Sequence, residues 1–344
     1  MSKRKPIVAI MGHVDHGKTK ILDKIRKSTV VDREAGAITQ AIGASIVPME
    51  TIKRICGPLL ANMKSEMDLP GLLFIDTPGH AAFTNLRKRG GNLADIAIVV
   101  ININEGLKPQ TKEALEILKQ YKTPFVIALN KIDLISGWRI KDNILLKNIE
   151  MQSEETKTLL DTKLYEIVGM IHEMGFQSER FDRIDDHTKQ IALIPTSAIT
   201  GEGIPELLMI LSGLAQKFLD KCLTCNIEGL GKGTILEVKE EKGLGVTLDV
   251  IIYDGKIKVK DTIILGTTSD PIVTKIRGLL EPNPLAEMRD KKSKFKQIKE
   301  VVAATGVKII APGLENAMGG MPIRVALEND IEKLKDHKYQ VGEY

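Results

Sequence analysis

Three short clusters in this chain carry residue types and spacings that can do chemistry. The first is Gly12-His13-Val14-Asp15-His16-Gly17-Lys18-Thr19, a glycine, four residues, then Gly-Lys-Thr. Glycines at these positions let backbone N–H groups face a polyphosphate at a helix N-terminus. Lys18 can reach the terminal phosphates and the Thr19 hydroxyl can ligate magnesium. The second is Asp76-Thr77-Pro78-Gly79-His80. Asp76 can hold magnesium through a water, the Gly79 N–H can bond a terminal phosphate, and His80 can orient a water for attack on it. The third is Asn130-Lys131-Ile132-Asp133. A carboxylate at 133 can accept two hydrogen bonds from guanine, from N1–H and the exocyclic amine. Adenine offers neither in that arrangement, and sites of this kind discriminate by roughly 10⁴-fold or more.

Supporting positions follow from these. Asn130 ties the base loop to the phosphate loop, and the stem of Lys131 can cover the base face. In Thr196-Ser197-Ala198-Ile199 the backbone N–H of Ala198 can bond the guanine carbonyl. Thr39, in the polar stretch between the first two clusters, is the natural second protein ligand for magnesium. Val14 and Ile38, apolar residues in polar loops, can flank His80 or simply pack. His16, Gly17, Lys18 and Thr19 are expected to line the nucleotide phosphates.

These residues need a scaffold that brings them to one place. Ile7–Met11, Gly71–Ile75, Ile96–Ile101, Phe125–Leu129 and Ile191–Pro195 read as buried strands. Residues 42–48 suggest another short strand. Helical spacing covers about 20–25, 49–64, 109–120, 153–173 and 204–220, with a further helix after His80. Strands alternating with helices predict an α/β domain built on a mostly parallel, doubly wound sheet. Every polar cluster then lies at the carboxyl end of a strand, where such sheets bind ligands. From about Gly231 the texture changes to short strands with glycine turns. Gly243-Leu244-Gly245 reads as a turn, Asp254-Gly255 as a hairpin, and the region as a small antiparallel β-barrel. The expected division is a nucleotide-binding domain at 1–220, a linker at 221–232, a β-barrel at 233–330 and a tail at 331–344. Residues 285–300 carry six lysines or arginines, and read either as an RNA contact or as a solvated segment.

Bulk composition sets limits. The chain has 344 residues, 43% hydrophobic and 27% charged, with a formal net charge of +4. That mild excess permits a nucleic-acid partner without requiring one. Three cysteines suggest a reducing compartment, and Cys222-x-x-Cys225 lacks the further ligands that zinc needs. No stretch approaches the ~20 apolar residues of a membrane span, which points to a cytoplasmic protein.

Gly-His-Val-Asp-His-Gly-Lys-Thr with Asp-Thr-Pro-Gly-His resembles the translational GTPases. Arg33-Glu34-Ala35-Gly36-Ala37-Ile38-Thr39-Gln40, Phe83 to Gly91 and Asn104 to Thr111 are similar to the family of initiation factor two. Gly137-Trp138, Ser178 to Arg183 and Ser197 to Pro205 resemble its archaeal and eukaryotic branch, initiation factor five-B. The resemblance runs to about residue 327. It implies a P-loop GTPase using GTP/GDP and Mg2+, with His80 catalytic, Asp15 helping to hold a monovalent cation, and Asp15 and Lys20 also lining the nucleotide phosphates. It implies a monomer that binds both ribosomal subunits and rRNA, promotes subunit joining and leaves after hydrolysis. Binding of initiator tRNA and initiation factor one-A is expected of the full-length family, through a domain that does not appear here, so a truncated chain is expected. Two positions depart from the family: Lys20 replaces a threonine and Ala37 a glycine. A nucleotide-regulated module with secondary hydrolysis and an elongation-type tRNA carrier are the competing readings.

Overall fold

Ile7-Val8-Ala9-Ile10-Met11 is apolar on both faces of an extended chain, so it must be covered from both sides. It forms β1 (Ile7–Gly12), buried along its whole length near the middle of an eight-stranded sheet. The computed structural model describes residues 4–30, 40–41, 44–62, 69–76, 94–186, 188–219, 229–241, 243–267, 270–282 and 295–326. The stretches around Thr39, Gly79, His80, Cys222 and Cys225, residues 285–294 and the expected tail lie outside the described residues.

The first sheet contains β2 (Gln40–Ala41), β3 (Ala44–Pro48), β4 (Gly71–Asp76), β5 (Ile96–Asn102), β6 (Phe125–Asn130), β7 (Gln177–Arg180) and β8 (Gln190–Pro195). Their order is β2-β3-β4-β1-β5-β6-β8-β7. Pairing is parallel from β4 to β7, while β2 and β3 add an antiparallel edge. The helices are α1 (Lys18–Val30), α2 (Met49–Cys56), α3 (Pro109–Gln120), α4 (Leu145–Glu150), α5 (Glu154–Glu173) and α6 (Ile204–Leu219). Their apolar stripes close the core: Ile21, Leu22 and Ile25 from α1, Ala114, Leu115 and Leu118 from α3, and Leu207, Leu208 and Leu211 from α6. Because β1, β4, β6 and β8 run the same way, Gly12, Asp76, Asn130 and Thr196 emerge at one end of the sheet.

Some local expectations needed correction. The helix expected over 49–64 stops at Cys56 and continues as a 3₁₀ turn over Gly57–Asn62. Gly57 adopts φ 45°, and Pro58 cannot donate a helical hydrogen bond. The polar stretch 139–190 hides α4 and the edge strand β7, whose Arg180 is buried against Asp182 and Asp161. Cys56 is buried and free; burial, with Glu206 nearby, pushes its thiol up to about 12.

The second sheet is antiparallel throughout. Its strands are β9 (Lys232–Glu241), β10 (Gly245–Asp254), β12 (Thr262–Leu265), β13 (Ile272–Lys275), β14 (Gly278–Pro282), β15 (Phe295–Ile298), β17 (Thr305–Ile310) and β18 (Pro322–Val325). They run in the order β13-β12-β18-β9-β10-β17-β14-β15. Residues from strands far apart in that order, Leu265 of β12 and Leu279 of β14, share one core. A separate pair joins β11 (Lys256–Lys258) to β16 (Glu300–Val302). Asp254-Gly255 is therefore not a hairpin. Gly255, at φ 65°, turns the chain out of one sheet into the other, and the approaching Leu230 and Gly229 carbonyls leave no room for a Cβ. Gly243 and Gly245 do turn the chain between β9 and β10, with φ 88° and 73°. In the basic stretch Phe295–Ile298 is strand β15 and Glu300 opens β16, and Lys296 stands opposite Glu281. No helix among the described residues is long and apolar enough to cross a membrane.

Candidate functional site

The phosphate loop spans the gap between the end of β1 and the start of α1. Gly12 and Gly17 hold φ 134° and 95°, values that favour glycine. A Cβ on Gly12 would strike the Val100 carbonyl, and one on Gly17 the Asn130 amide. The N–H groups of Thr19 and Lys20, at the start of α1, precede the helical hydrogen bonding, which begins with the Ile21 N–H on the Gly17 carbonyl, and the first turn holds no acidic residue to neutralise its partial positive charge. Lys18 folds across the loop, its Nζ donating to the Gly12 carbonyl at 2.8 Å and the His13 carbonyl at 2.7 Å. Thr19 and Lys20 are exposed at the same helix end, and Asp15 is exposed with φ 67°. An anion arriving there meets a lysine, a helix terminus and a hydroxyl together. Gly17→Ala forces both backbone strain and contact with Asn130, a cost of about 1–3 kcal/mol. It is expected to weaken GDP roughly 10- to 100-fold in a titration with fluorescent GDP; unchanged affinity would show that the loop adapts.

The loop's two histidines differ. The Val14 N–H donates to Gln110 Oε1 at 3.3 Å, and His13 Nδ1 lies 2.7 Å from the same oxygen. An amide nitrogen can only donate, so the oxygen faces the loop and His13 Nδ1 carries the hydrogen. His16 is buried, with Nδ1 3.4 Å from the Val100 carbonyl and Nε2 without a hydrogen-bond partner among the described residues. Burial pulls its pKa below the ordinary value, so it is neutral at pH 7. The Glu105 carboxylate, 3.9 Å away, is therefore not its ion-pair partner. Glu105 is instead held by Lys108 at 3.2 Å and by the Asn102 amide, and the lysine keeps its carboxyl below the usual range.

On the base side, Asn130 ends β6 and is 2% exposed. Its Nδ2 donates to the His16 carbonyl at 2.7 Å, and its Oδ1 accepts the Ala198 N–H at 3.0 Å. One side chain thus joins the phosphate loop to the loop after β8, as its place in the sequence suggested. Lys131 follows at φ 70°, and a 3₁₀ turn over Ile132–Leu134 presents Asp133. Asp133 is half-buried and has no hydrogen bond or ion pair with any described residue. The Ala198 N–H is held by Asn130, and a guanine carbonyl would share that donor. Ser197 is buried, and its Oγ accepts the N–H groups of Ile199 at 3.3 Å and Thr200 at 3.1 Å. The Ile199 side chain is 65% exposed, and its carbonyl accepts Lys24 Nζ at 3.1 Å.

Asp76 closes β4 with its backbone in register with Ile10, two residues before Gly12. The sheet thus gathers the phosphate loop, Asp76, Asn130 to Asp133 and Ser197 to Ile199 at one end. Thr39, Gly79 and His80 lie outside the described residues.

Sequence reasoning missed Glu202. It is 6% exposed and accepts from Trp138 Nε1 at 3.1 Å, Asn148 Nδ2 at 2.5 Å and Thr200 Oγ1 at 2.6 Å. Glu206, one helical turn on, accepts the Leu145 N–H at 2.9 Å, and burial pushes its carboxyl above the usual range. The available signal was an acid between two glycines, Gly201-Glu202-Gly203, next to the base loop.

The model of the elongation factor Tu GTP-binding domain matches residues 3–217. The chain belongs to that family. Over nearly its whole length this GTP-binding-family chain is also similar to archaeal factors. It is 57% identical over 333 residues to the probable translation initiation factor IF-2 of Methanopyrus kandleri, covering 96% of this chain and 56% of that protein. The Thermococcus onnurineus protein of the same name is 55% identical over 334 residues, again with 96% and 56% covered. The crystal structure of GDP-bound aIF5B from Aeropyrum pernix superposes with a TM-score of 0.91 at 50% identity, covering 96% of this chain and 56% of that one. The apo elongation factor SelB of Methanococcus maripaludis, at 19% identity and a TM-score of 0.57, shares the fold. The chain spans about half the length of the curated relatives it matches.

Proposed function

We propose that this chain is a guanine-nucleotide switch of translation initiation: it binds GTP and magnesium, docks on the ribosome in the cytoplasm, promotes subunit joining and leaves after hydrolysing GTP. The observation that carries the nucleotide half is Asn130, which holds the phosphate loop and the base loop together beside Asp133, a carboxylate without a partner among the described residues. The similarity to archaeal initiation factors supports the ribosomal half.

In this reading Lys18 and the N–H groups of Gly17, Thr19 and Lys20 hold phosphates, and Asp133 selects guanine. Asp15 helps to hold a monovalent cation. Thr19, Asp76 and Thr39 would hold magnesium. Two hydroxyls, and a carboxylate acting through water, are with phosphate oxygens the hard donors that this ion takes. When bound, the ion neutralises charge on the phosphates. Gly79 senses the γ-phosphate, and His80 orients the attacking water. Hydrolysis without ribosomes should be slow, with the ribosome ordering His80 for attack. The division into a nucleotide domain at 1–220 and a second domain at 233–330, joined through 221–232, belongs to the same proposal, as do contacts with both ribosomal subunits.

Single-turnover hydrolysis with and without ribosomes tests it. His80→Ala should slow the ribosome-stimulated step roughly 10²- to 10⁴-fold, with GDP affinity within about twofold of the parent because the histidine acts on water. Fast turnover that ignores ribosomes, or that survives His80→Ala, would contradict the catalytic assignment.

A further inference from the structure

Glu202 is placed where an ordinary loop residue would not be. Its carboxylate is buried, yet no lysine or arginine is paired with it among the described residues. Oε1 takes hydrogen bonds from Trp138 Nε1 and Asn148 Nδ2, and Oε2 takes one from the Thr200 hydroxyl. Three donors replace the water such a group loses. The backbone closes the same loop a second time. The Ser197 N–H donates to the Glu202 carbonyl at 2.9 Å, and the Gly201 N–H to the Ser197 carbonyl at 2.8 Å.

The outer anchors are themselves fixed. Asn148 is fully buried, and its Oδ1 accepts the Lys141 N–H at 2.8 Å and Gln152 Nε2 at 3.1 Å. Gln152 in turn donates to the Arg139 carbonyl at 2.7 Å. Residues 138–152 are therefore tied together by hydrogen bonds, and Glu202 is the post by which the base loop is fastened to them. The loop carries the Ala198 N–H, four residues before Glu202, at the place where Asn130 and a base carbonyl must meet it. A recognition donor must be held within about 0.5 Å to count.

We infer that Glu202 is a positioning residue for guanine selection: it sets the Ala198 N–H against the carbonyl at C6 of the base. The inference rests on the guanine-nucleotide reading above. The residue touches no nucleotide itself; it acts through Thr200 and the loop backbone. Its loss should therefore penalise only bases that carry the C6 carbonyl.

The test is calorimetric titration of the parent and variants with three diphosphates. GDP carries the carbonyl, N1–H and the exocyclic amine. Inosine diphosphate keeps the carbonyl and N1–H but lacks the amine, and 2-aminopurine riboside diphosphate keeps the amine but lacks the carbonyl and N1–H, a loss common to parent and variants. Glu202→Ala should weaken GDP and inosine diphosphate about 10-fold, the worth of one hydrogen bond, and 2-aminopurine riboside diphosphate less than about twofold. Glu202→Gln should restore GDP to within about threefold, since its oxygen can keep Trp138 and Asn148 while its amide donates to Thr200. Thr200→Val removes the strut and leaves the frame paired, so it should reproduce the alanine pattern even if Glu202→Ala fails to fold. An equal penalty on all three nucleotides, or no penalty, would overturn the inference. If the parent protein itself fails to prefer GDP over 2-aminopurine riboside diphosphate and ADP, the guanine reading falls first.

Discussion

Asp133→Asn is expected to exchange guanine for xanthine nucleotides. The Asp133 carboxylate stands half-buried without a partner among the described residues, and presents two acceptors to the N1–H and exocyclic amine of guanine. Asparagine presents one acceptor and one donor. Its oxygen still suits N1–H, but its amide faces the guanine amine donor to donor, and an unmatched buried polar pair is costly. Xanthine carries a carbonyl at C2 where guanine carries the amine, so the same amide then finds an acceptor. GDP affinity should fall by roughly 10³- to 10⁴-fold, with xanthosine diphosphate gaining most of what is lost. Competition titrations of the two nucleotides measure it. A variant that still prefers GDP would mean that the base is read elsewhere. The magnesium dependence of the remaining binding should stay as in the parent, because Lys18 and Thr19 lie on the other side of Asn130.

Asn130→Ala should give a different signature, in which every nucleotide weakens and the protein itself loosens. The side chain satisfies two backbone groups that are distant in sequence, the His16 carbonyl and the Ala198 N–H. Truncation leaves both without a partner in a buried setting, at about 1–3 kcal/mol each. The midpoint of thermal unfolding should drop by roughly 5–10 °C for a domain of this size. GDP, inosine diphosphate and ADP should all lose affinity by roughly 10²-fold, since both loops are released whatever the base. Asn130→Asp should be no better. It keeps an acceptor for Ala198 but sets a second oxygen against the His16 carbonyl. Thermal melts with parallel titrations decide the matter. A loss confined to guanine nucleotides, or an unchanged midpoint, would mean that Asn130 reads the base and does not brace the loops.

The sequence by itself determined whatever is written in neighbouring residues. Apolar runs too long for one buried face became parallel strands, and the helical spacing over about 109–120 matches α3 at Pro109–Gln120. Ser153 starts α5 with its side chain accepting from the Thr156 N–H, just ahead of the apolar repeat that marked it. The glycine spacing around Lys18 and the polar residues ending β4, β6 and β8 pointed to one end of the sheet, because parallel strands must deliver their carboxyl ends together. The motif around Asn130 suggested its tie to the phosphate loop, but tertiary structure decided the partner atoms there and the other pairings among polar residues. Asn130 reaches partners 114 and 68 residues away, and Glu202 gathers Trp138, Asn148 and Thr200. Arg180 is polar and yet buried on an edge strand, and Lys308 is buried among Glu241 and Asp249 in the second sheet. Burial periodicity depends on the repeat of a helix or strand and shows in any short window. A hydrogen bond between distant loops has no period, and its donors look like solvated residues until the fold takes the water away.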